Sequence, residues 1–166
     1  MLSTPRLRCY LIISVIGENN ASPENALLAQ KVGSLLAKFD VTVVCGGQGG
    51  VMKYVCKGAK ENGGTTIGIL PGMDPLDSNE YVDIPICTGL GNGRNMLVTR
   101  AGEAVIAIGG AYGTLSEIGL ALSDSKPVIG LKTWSLLKYN NVDGGIIVAH
   151  SPEEAVQIAI REANHN

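Results

Sequence analysis

Two glycine-rich segments, residues 46–50 and 109–113, carry the residue types best suited to hold a ligand in this chain. Each segment follows an apolar run typical of a buried strand, and each opens a stretch with the apolar spacing of a helix. A glycine turn at such a junction exposes backbone N–H groups at the positive end of the helix dipole. The two turns therefore predict a site for a phosphate-bearing ligand at the carboxyl edge of a sheet.

The second glycine segment offers the more complete anion site. Gly109 and Gly110 allow close approach of the backbone, and the N–H groups around Gly113, with the Thr114 hydroxyl, are placed to hold a phosphate. Tyr112 lies between these residues and is predicted to line the same site. The alternative is a tight strand-to-helix turn that needs glycine for packing alone.

Glu117 and Arg94 are the charged residues predicted to face this site. Because a carboxylate repels a phosphate, we expect Glu117 to contact a hydroxyl or amine elsewhere on the ligand, or else to be a first-turn partner of the helix dipole. Arg94 lies at a predicted helix N-terminus, where a cation is unfavourable, so a ligand phosphate or Glu117 should offset its charge. The alternative is a solvated surface arginine. Asn95 could add an amide contact.

The first glycine segment matches no standard phosphate motif. It lacks the G-x-G-x-x-G spacing, and no Gly-Lys-Ser/Thr follows it as in a P-loop. Met52 is expected to pack under this turn, and Cys45 to border the site as a buried thiol. From this segment and the start of the next helix we assign six residues to the site: Gly46, Gly47, Gly49, Gly50, Val51 and Met52. Gly17, in the loop after the first strand, is assigned to it as well.

Strand and helix patterns alternate along the chain, which predicts βαβ units and an α/β fold with a mostly parallel sheet covered by helices on both faces. In such sheets ligands bind beyond the carboxyl ends of the strands, where the strand order reverses. We expect Pro85 to place its strand at an edge. Strands are predicted over residues 10–16, 41–44, 65–70, 80–88, 104–108, 127–131 and 145–149. Helices are predicted over residues 23–39, 51–61, 92–101, 114–123 and from 152 onwards, with a short helix or turn over 134–139.

Length and composition fit one domain over residues 1–166, since 166 residues with 45% apolar content can bury a real core. The net charge of −2, without a run of Lys or Arg, argues against a nucleic-acid partner. No apolar stretch approaches the roughly 20 residues of a membrane span, and no signal peptide is recognisable. We therefore expect a cytoplasmic protein with no membrane partner. The cysteines match no metal-binding spacing and are expected to be buried free thiols: Cys9, Cys45, Cys56 and Cys87.

The two glycine segments resemble the G-G-G-x-x-G-L-M and P-G-G-x-G-T-x-x-E motifs of the Lonely Guy and lysine decarboxylase-like superfamily. Arg94, 20 residues before Thr114, is in register with the superfamily's arginine, and Glu117 takes the place of its glutamate. The resemblance implies a Rossmann-like doubly wound fold and an assembly that is either a dimer or a tetramer built from dimers. It also implies cleavage of the N-glycosidic bond of nucleoside 5′-monophosphates, with Arg94 and Glu117 at the reaction centre and the motif glycines holding the phosphate.

Four positions depart from the motifs of these enzymes. Cys45 replaces the first glycine of the first motif, and Ile108 and Ala111 replace the proline and third residue of the second. Asn95 replaces the usual basic residue after the arginine. Together these changes weaken the case for hydrolysis.

A further resemblance covers nearly the whole chain. Residues 57–72, 82–91 and 121–128 are similar to the corresponding stretches of molybdenum cofactor carrier proteins. This resemblance implies a homotetramer that binds and protects molybdopterin, a pterin with a terminal phosphate, for molybdoenzyme apoproteins. The phosphate would suit the glycine turns and Arg94, and Glu117 could accept hydrogen bonds from the pterin N–H groups.

The sequence therefore leads to a binding protein as the first hypothesis: it carries molybdenum cofactor, or another phosphorylated small molecule, without turnover and has no catalytic residues. The alternative is a phosphoribohydrolase in which Arg94 and Glu117 catalyse. A regulator that binds a nucleotide remains a third possibility. All three predict the same phosphate site, so the motifs separate them poorly.

Overall fold

The computed structural model describes residues 10–164, and within them the helices and strands alternate as expected. Cys9, predicted to be a buried thiol, lies outside the described residues. The helices are α1 Pro23–Lys38, α2 Gly50–Lys60, α3 Asn95–Ala101, α4 Tyr112–Ser123 and α5 Pro152–Ala163. The strands are β1 Ile12–Gly17, β2 Thr42–Cys45, β3 Thr66–Leu70, β4 Ile84–Cys87, β5 Ala104–Ile108, β6 Val128–Leu131, β7 Leu137–Lys138, β8 Asn141–Val142 and β9 Ile146–Ala149.

Seven of the strands form one parallel sheet in the order β4-β3-β2-β1-β5-β6-β9. The chain builds the sheet outwards from β1 to β4 and then returns to the centre to add β5 on the other side of β1. The strand order therefore reverses between β1 and β5, where Gly17 is the register partner of Ile108. The predicted α/β class, with a doubly wound parallel sheet of the Rossmann-like kind, is confirmed.

Helices cover both faces of the sheet, and this explains the continuous apolar runs of its strands. Helices α1, α2 and α5 pack on one face, where alternate strand residues such as Ile13 and Ile106 join their core. Helices α3 and α4 pack on the other face, through Val98 and Ile118. All five residues of β5 are buried, so the loop that follows it is held at a fixed place above the sheet.

The segment after β6 differs from its prediction. Residues 134–139, predicted as a short helix or turn, instead lead into a two-stranded antiparallel hairpin of β7 and β8. Tyr139 and Asn140 form its turn with φ of 50° and 62°, the left-handed pair that a type I′ hairpin turn requires. Asparagine tolerates this region better than most residues, so Asn140 was the local signal for the hairpin.

Several smaller expectations are also decided by the structure. Strand β4, which contains Pro85, is an edge strand and shorter than predicted. Cys45 and Cys56 are buried free thiols, as predicted, while Cys87 is only half-buried. No helix within residues 10–164 is both long and apolar enough to cross a membrane.

Candidate functional site

The loops after β1, β2 and β5 meet above the point where the strand order reverses, and they enclose a cavity of about 270 Å³. We call it the arginine cavity because Arg94 forms part of its wall. The remaining lining residues come from these loops, from Met52 in α2, from residues 92–95 and from the first two turns of α4. The full set is Gly17, Glu18, Asn19, Gln48, Met52, Asn92, Arg94, Asn95, Ala111, Gly113, Thr114 and Glu117.

Backbone N–H groups of the first glycine turn donate hydrogen bonds to neighbouring protein atoms. The N–H group of Gly47 donates to Cys45 Sγ at 3.3 Å, and that of Gly49 donates to Asn19 Oδ1 at 3.1 Å. The N–H group of Val51 donates to Glu18 O at 3.0 Å. These three groups are therefore used to fix the turn against the loop after β1. Beneath the turn Cys45 is fully buried, with its Sγ 3.5 Å from Cys56 Sγ.

Gly46 lets the guanidinium of Arg94 lie directly on the backbone of this turn. A Cβ at position 46 would stand 2.1 Å from Arg94 Nη1 and 2.6 Å from Met52 Sδ, closer than atoms can approach. Only glycine leaves room for both side chains here. The glycine turn thus positions the cation, and Met52 packs against Gly46 of the same turn, as expected.

Arg94 ends a 3₁₀ turn over Gly91–Arg94 and is only 7% exposed, so the alternative of a solvated surface arginine is wrong. Its Nη2 donates to Gln48 Oε1 at 3.3 Å, whereas its buried Nε finds no acceptor among the described residues. Burial lowers the pKa of Arg94, and the nearby Glu117 opposes that shift. A buried guanidinium with unused donors favours an anionic ligand, because burying an unpaired charge is costly.

Glu117 lies in the second turn of α4 and is 7% exposed, so its alternative role as a first-turn dipole partner is wrong. Burial raises the pKa of Glu117 to about 7, and the charge of Arg94 limits the rise. No hydrogen bond or ion pair within 4.0 Å joins Glu117 to Arg94 in the described chain. The two side chains face one cavity but leave each other free to contact a ligand.

The second glycine turn brings the start of α4 to the same cavity. Gly110 has φ of 117°, which only glycine adopts readily, and a Cβ there would stand 2.6 Å from Thr114 Cβ. The helix begins after Ala111 without a side-chain cap. Its first-turn N–H groups can therefore donate to an anion, beside the buried side chain of Thr114.

Glu18 belongs to neither glycine motif, and the motifs therefore did not predict its role in the site. Its carboxylate accepts hydrogen bonds from Asn25 Nδ2 at 2.7 Å and from the Gly110 N–H at 2.8 Å, and so ties the second glycine turn to α1. Burial acts to raise the pKa of Glu18, but these hydrogen bonds and one from the backbone of Ser22 outweigh it and lower the pKa. Its place directly after β1, at the strand-order reversal, was the one available signal.

The structure places the predicted site residues in three positions. Gly17, Met52, Arg94, Asn95, Gly113, Thr114 and Glu117 line the arginine cavity. Gly46, Gly47, Gly49, Gly50 and Val51 form the turn and helix start beneath it, outside its lining. Gly109 and Gly110 instead border a neighbouring cavity of about 360 Å³, which we call the tryptophan cavity because Trp134 lines it. Tyr112 is 80% exposed, with its ring centroid 5.8 Å from that of Trp134.

Five lining residues were not assigned to the site from the sequence, because their types carry no signal for ligand binding on their own: Glu18, Asn19, Gln48, Asn92 and Ala111. Most are polar, so the cavity offers several hydrogen-bonding groups beside one buried cation. Within residues 10–164, no group of three His, Cys, Asp or Glu side chains could hold a metal ion. The arrangement is suited to an anionic, polar organic ligand.

Comparisons with known proteins place this chain among cofactor-binding relatives. A model described as the SLOG cluster4 family matches residues 10–156. An uncharacterized protein of Archaeoglobus fulgidus is 39% identical over 148 residues, which cover 89% of this chain and 93% of that protein. The molybdenum cofactor binding protein of the phototrophic bacterium Rippkaea orientalis is 37% identical with a TM-score of 0.84, over 92% of this chain and 96% of its own. The Moco carrier protein of Chlamydomonas reinhardtii is 32% identical with a TM-score of 0.83, over 95% of this chain and 99% of that protein's chain.

Proposed function

This chain belongs to the SLOG cluster4 family, and on that premise we propose that it binds molybdenum cofactor and carries it without chemical turnover. The relatives from Rippkaea and Chlamydomonas, which are described as binding or carrying this cofactor, support the proposal over nearly the full length of the chain. Molybdopterin supplies a terminal phosphate and a pterin ring, and the arginine cavity has groups suited to an anion and to polar N–H groups.

The observation that carries the proposal is the burial of Arg94 with an Nε that has no acceptor. A phosphate is a fitting partner, because a guanidinium forms two parallel hydrogen bonds with it. We propose that Arg94, the first-turn N–H groups of α4 and the Thr114 hydroxyl hold this phosphate. The cofactor itself would supply the molybdenum and its sulfur ligands, whereas the protein binds, orients and shields it.

Binding without turnover is supported by the motif departures. Cys45 and Ile108 are fully buried packing residues, and Asn95 lines the arginine cavity as a neutral amide where the hydrolases carry a basic side chain. The cavity therefore holds less positive charge next to Arg94 than the enzyme motif implies. A second basic side chain could contact the phosphate of a nucleoside monophosphate, so its absence removes one contact that would position that substrate for cleavage.

Phosphoribohydrolase activity on nucleoside 5′-monophosphates is the second candidate, and one observation favours it. Glu117 has its pKa raised by burial to about 7, which suits a general acid or base near neutral pH. In that case Arg94 would hold the phosphate and Glu117 would act at the glycosidic bond.

A paired experiment separates the two candidates. Purified protein is titrated anaerobically with molybdenum cofactor, and in parallel is incubated with AMP while release of ribose 5-phosphate is followed. We expect saturable binding of one cofactor per chain and no release of ribose 5-phosphate above background. Turnover of AMP without binding of the cofactor would overturn the carrier function.

Arg94→Lys and Arg100→Lys form a matched pair of variants for the same titration. Arg100 lies on α3 close to Arg94 in sequence, but it is exposed and pairs with Asp124 at 2.6 Å. Arg94→Lys keeps the charge and loses the planar fork, so we expect weaker cofactor binding. Arg100→Lys should bind as the wild type does.

We also propose a homotetramer that works in the cytoplasm and delivers the cofactor to molybdoenzyme apoproteins. Ile84 and Ile86 on the edge strand β4 support association, because they are 47% and 44% exposed on the sheet face that carries only α3 and α4. Light scattering of the purified protein tests the assembly. A monomer at micromolar concentration would contradict it.

A further inference from the structure

The tryptophan cavity lies on the other side of Glu18 from the arginine cavity, and Glu18 lines both. Its walls come from the start of α1, the second glycine turn and the loop after β6. The residues that matter here are Glu18, Asn25, Gly110, Lys132, Thr133 and Trp134. Two cavities that share one wall residue can hold two parts of the same ligand.

We propose that the tryptophan cavity receives the pterin ring of the cofactor, with its amino group donating to the Glu18 carboxylate, while Arg94 holds the phosphate. This inference rests on the proposed function and adds the orientation of the ligand. It moves the pterin contact from Glu117, where the sequence places it, to Glu18.

Size is the first argument for a ligand that spans both cavities. The arginine cavity, at about 270 Å³, falls just below the roughly 300–1,000 Å³ typical of small-molecule sites. A phosphorylated tricyclic pterin with its metal is large for that space alone. The tryptophan cavity adds about 360 Å³ directly beyond Glu18.

Glu18 is held in place to accept further hydrogen bonds. Asn25 donates to Oε1 and the Gly110 N–H donates to Oε2, so both oxygens are fixed in position. An ionised carboxylate has about four acceptor sites, and Asn25, Gly110 and the Ser22 backbone use three of them, which leaves one for a ligand. The lowered pKa of Glu18 keeps it ionised near neutral pH, whereas Glu117 is deeper and close to half-protonated at pH 7.

Aromatic and polar groups complete the tryptophan cavity. The lining is mainly polar, and Trp134 supplies its one aromatic ring, on which a planar bicyclic ring can stack. The exposed ring of Tyr112 lies against Trp134. Trp134 Nε1 is buried and has no acceptor in the described chain. The Thr133 hydroxyl donates to Gly109 O and fastens this wall to the second glycine turn.

The experiment uses Trp134 as its own reporter, because it is the only tryptophan in the chain. The full-length protein is titrated with an unphosphorylated pterin, with lumazine and with inorganic phosphate, and fluorescence and calorimetry are recorded. Lumazine is the same ring system with a carbonyl in place of the amino group. We expect pterin to change the Trp134 emission and to bind about tenfold or more tightly than lumazine, the factor of one charge-assisted hydrogen bond.

Glu18→Gln should remove the preference for pterin over lumazine, and it should not weaken phosphate binding, because it removes a negative charge from the wall of the arginine cavity. Arg94→Ala should weaken phosphate binding and leave pterin binding unchanged. Glu153→Gln is the matched control, since Glu153 is an exposed carboxylate in the first turn of α5 whose ion pair, at 3.5 Å, is with Lys31. Thermal melting checks that each variant is folded, and the pterin-to-lumazine comparison on the wild type needs no variant at all.

The outcomes distinguish this inference from the proposed function. If the wild type binds the whole cofactor but Trp134 emission responds neither to it nor to pterin, the orientation is wrong and the carrier function stands. The same holds if wild-type protein binds lumazine as tightly as pterin. If the wild type binds no cofactor, the carrier function fails whichever way the pterin titration turns out.

Discussion

Replacing Gly46 with alanine adds one methyl group at the point where the backbone supports Arg94. The new Cβ would stand 2.1 Å from Arg94 Nη1, whereas real Cβ contacts are rarely under 3.0 Å. Gly46 has no left-handed backbone angle, so the substitution tests the contact and not backbone strain. The guanidinium is the end of a flexible side chain and must retreat by about 0.9 Å or more.

That retreat should cost ligand affinity more than protein stability. It lengthens a hydrogen bond from Arg94 to Gln48 that already measures 3.3 Å, and it displaces Arg94 from the cavity. Losing one charge-assisted hydrogen bond of about 1.5–3 kcal/mol corresponds to a roughly 10- to 150-fold weaker Kd. Because a flexible side chain gives way, the loss of stability should fall at the low end of about 1–3 kcal/mol for overpacking.

Anaerobic titration with molybdenum cofactor measures the affinity, and thermal melting measures the stability. Gly119→Ala is the matched control, since a Cβ at position 119 on α4 meets nothing within 4 Å. If the effect passes through Arg94, the double variant Gly46→Ala/Arg94→Ala should bind no worse than Arg94→Ala alone. A Gly46→Ala protein that binds within twofold of the wild type would refute the reasoning.

Three further predictions concern the same site. Arg94→Ala should weaken cofactor binding by about 1–3 kcal/mol, while Arg100→Ala should leave the Kd unchanged in the same titration. Glu117 binds its proton more tightly in the folded protein (pKa about 7) than when unfolded (4.5), so stability should fall as pH rises from 4.5 through 7. The melting temperature should therefore depend less on pH over this range in Glu117→Gln than in the wild type. An equal pH dependence in the two proteins would contradict a buried carboxyl at position 117. Gly110→Ala should lower stability by about 1–3 kcal/mol in denaturant unfolding, because its φ of 117° and its contact with Thr114 both exclude a side chain.

The strands, glycine turns and helices that surround the site could be predicted from the sequence, because local patterns encode them. Continuous apolar runs identify strands buried on both faces, and the glycine turns mark their carboxyl ends. The alternation of strands and helices then implies a parallel sheet with a strand-order reversal. That placed Arg94, Thr114 and Glu117 at one edge, and the structure does bring them to one cavity.

Contacts between distant segments could not be predicted in the same way. The close approach of Arg94 to Gly46 joins residues far apart in sequence, and no local pattern records it. The N–H groups of Gly49 and Val51 donate to Asn19 and Glu18, a pairing that only tertiary structure decides. Glu18 was overlooked because a single carboxylate in a loop resembles any solvated one until Gly110 and Asn25 are seen to bind it.

The most direct test of the central claim is anaerobic equilibrium titration of the wild type and Arg94→Ala with molybdenum cofactor, followed by recovery of the bound ligand. Binding to the arginine cavity without turnover predicts saturation at one cofactor per chain, recovery of chemically unchanged cofactor, and a clear loss of affinity in Arg94→Ala. Absence of saturable binding by the wild type, or equal affinity in the variant, would contradict the account.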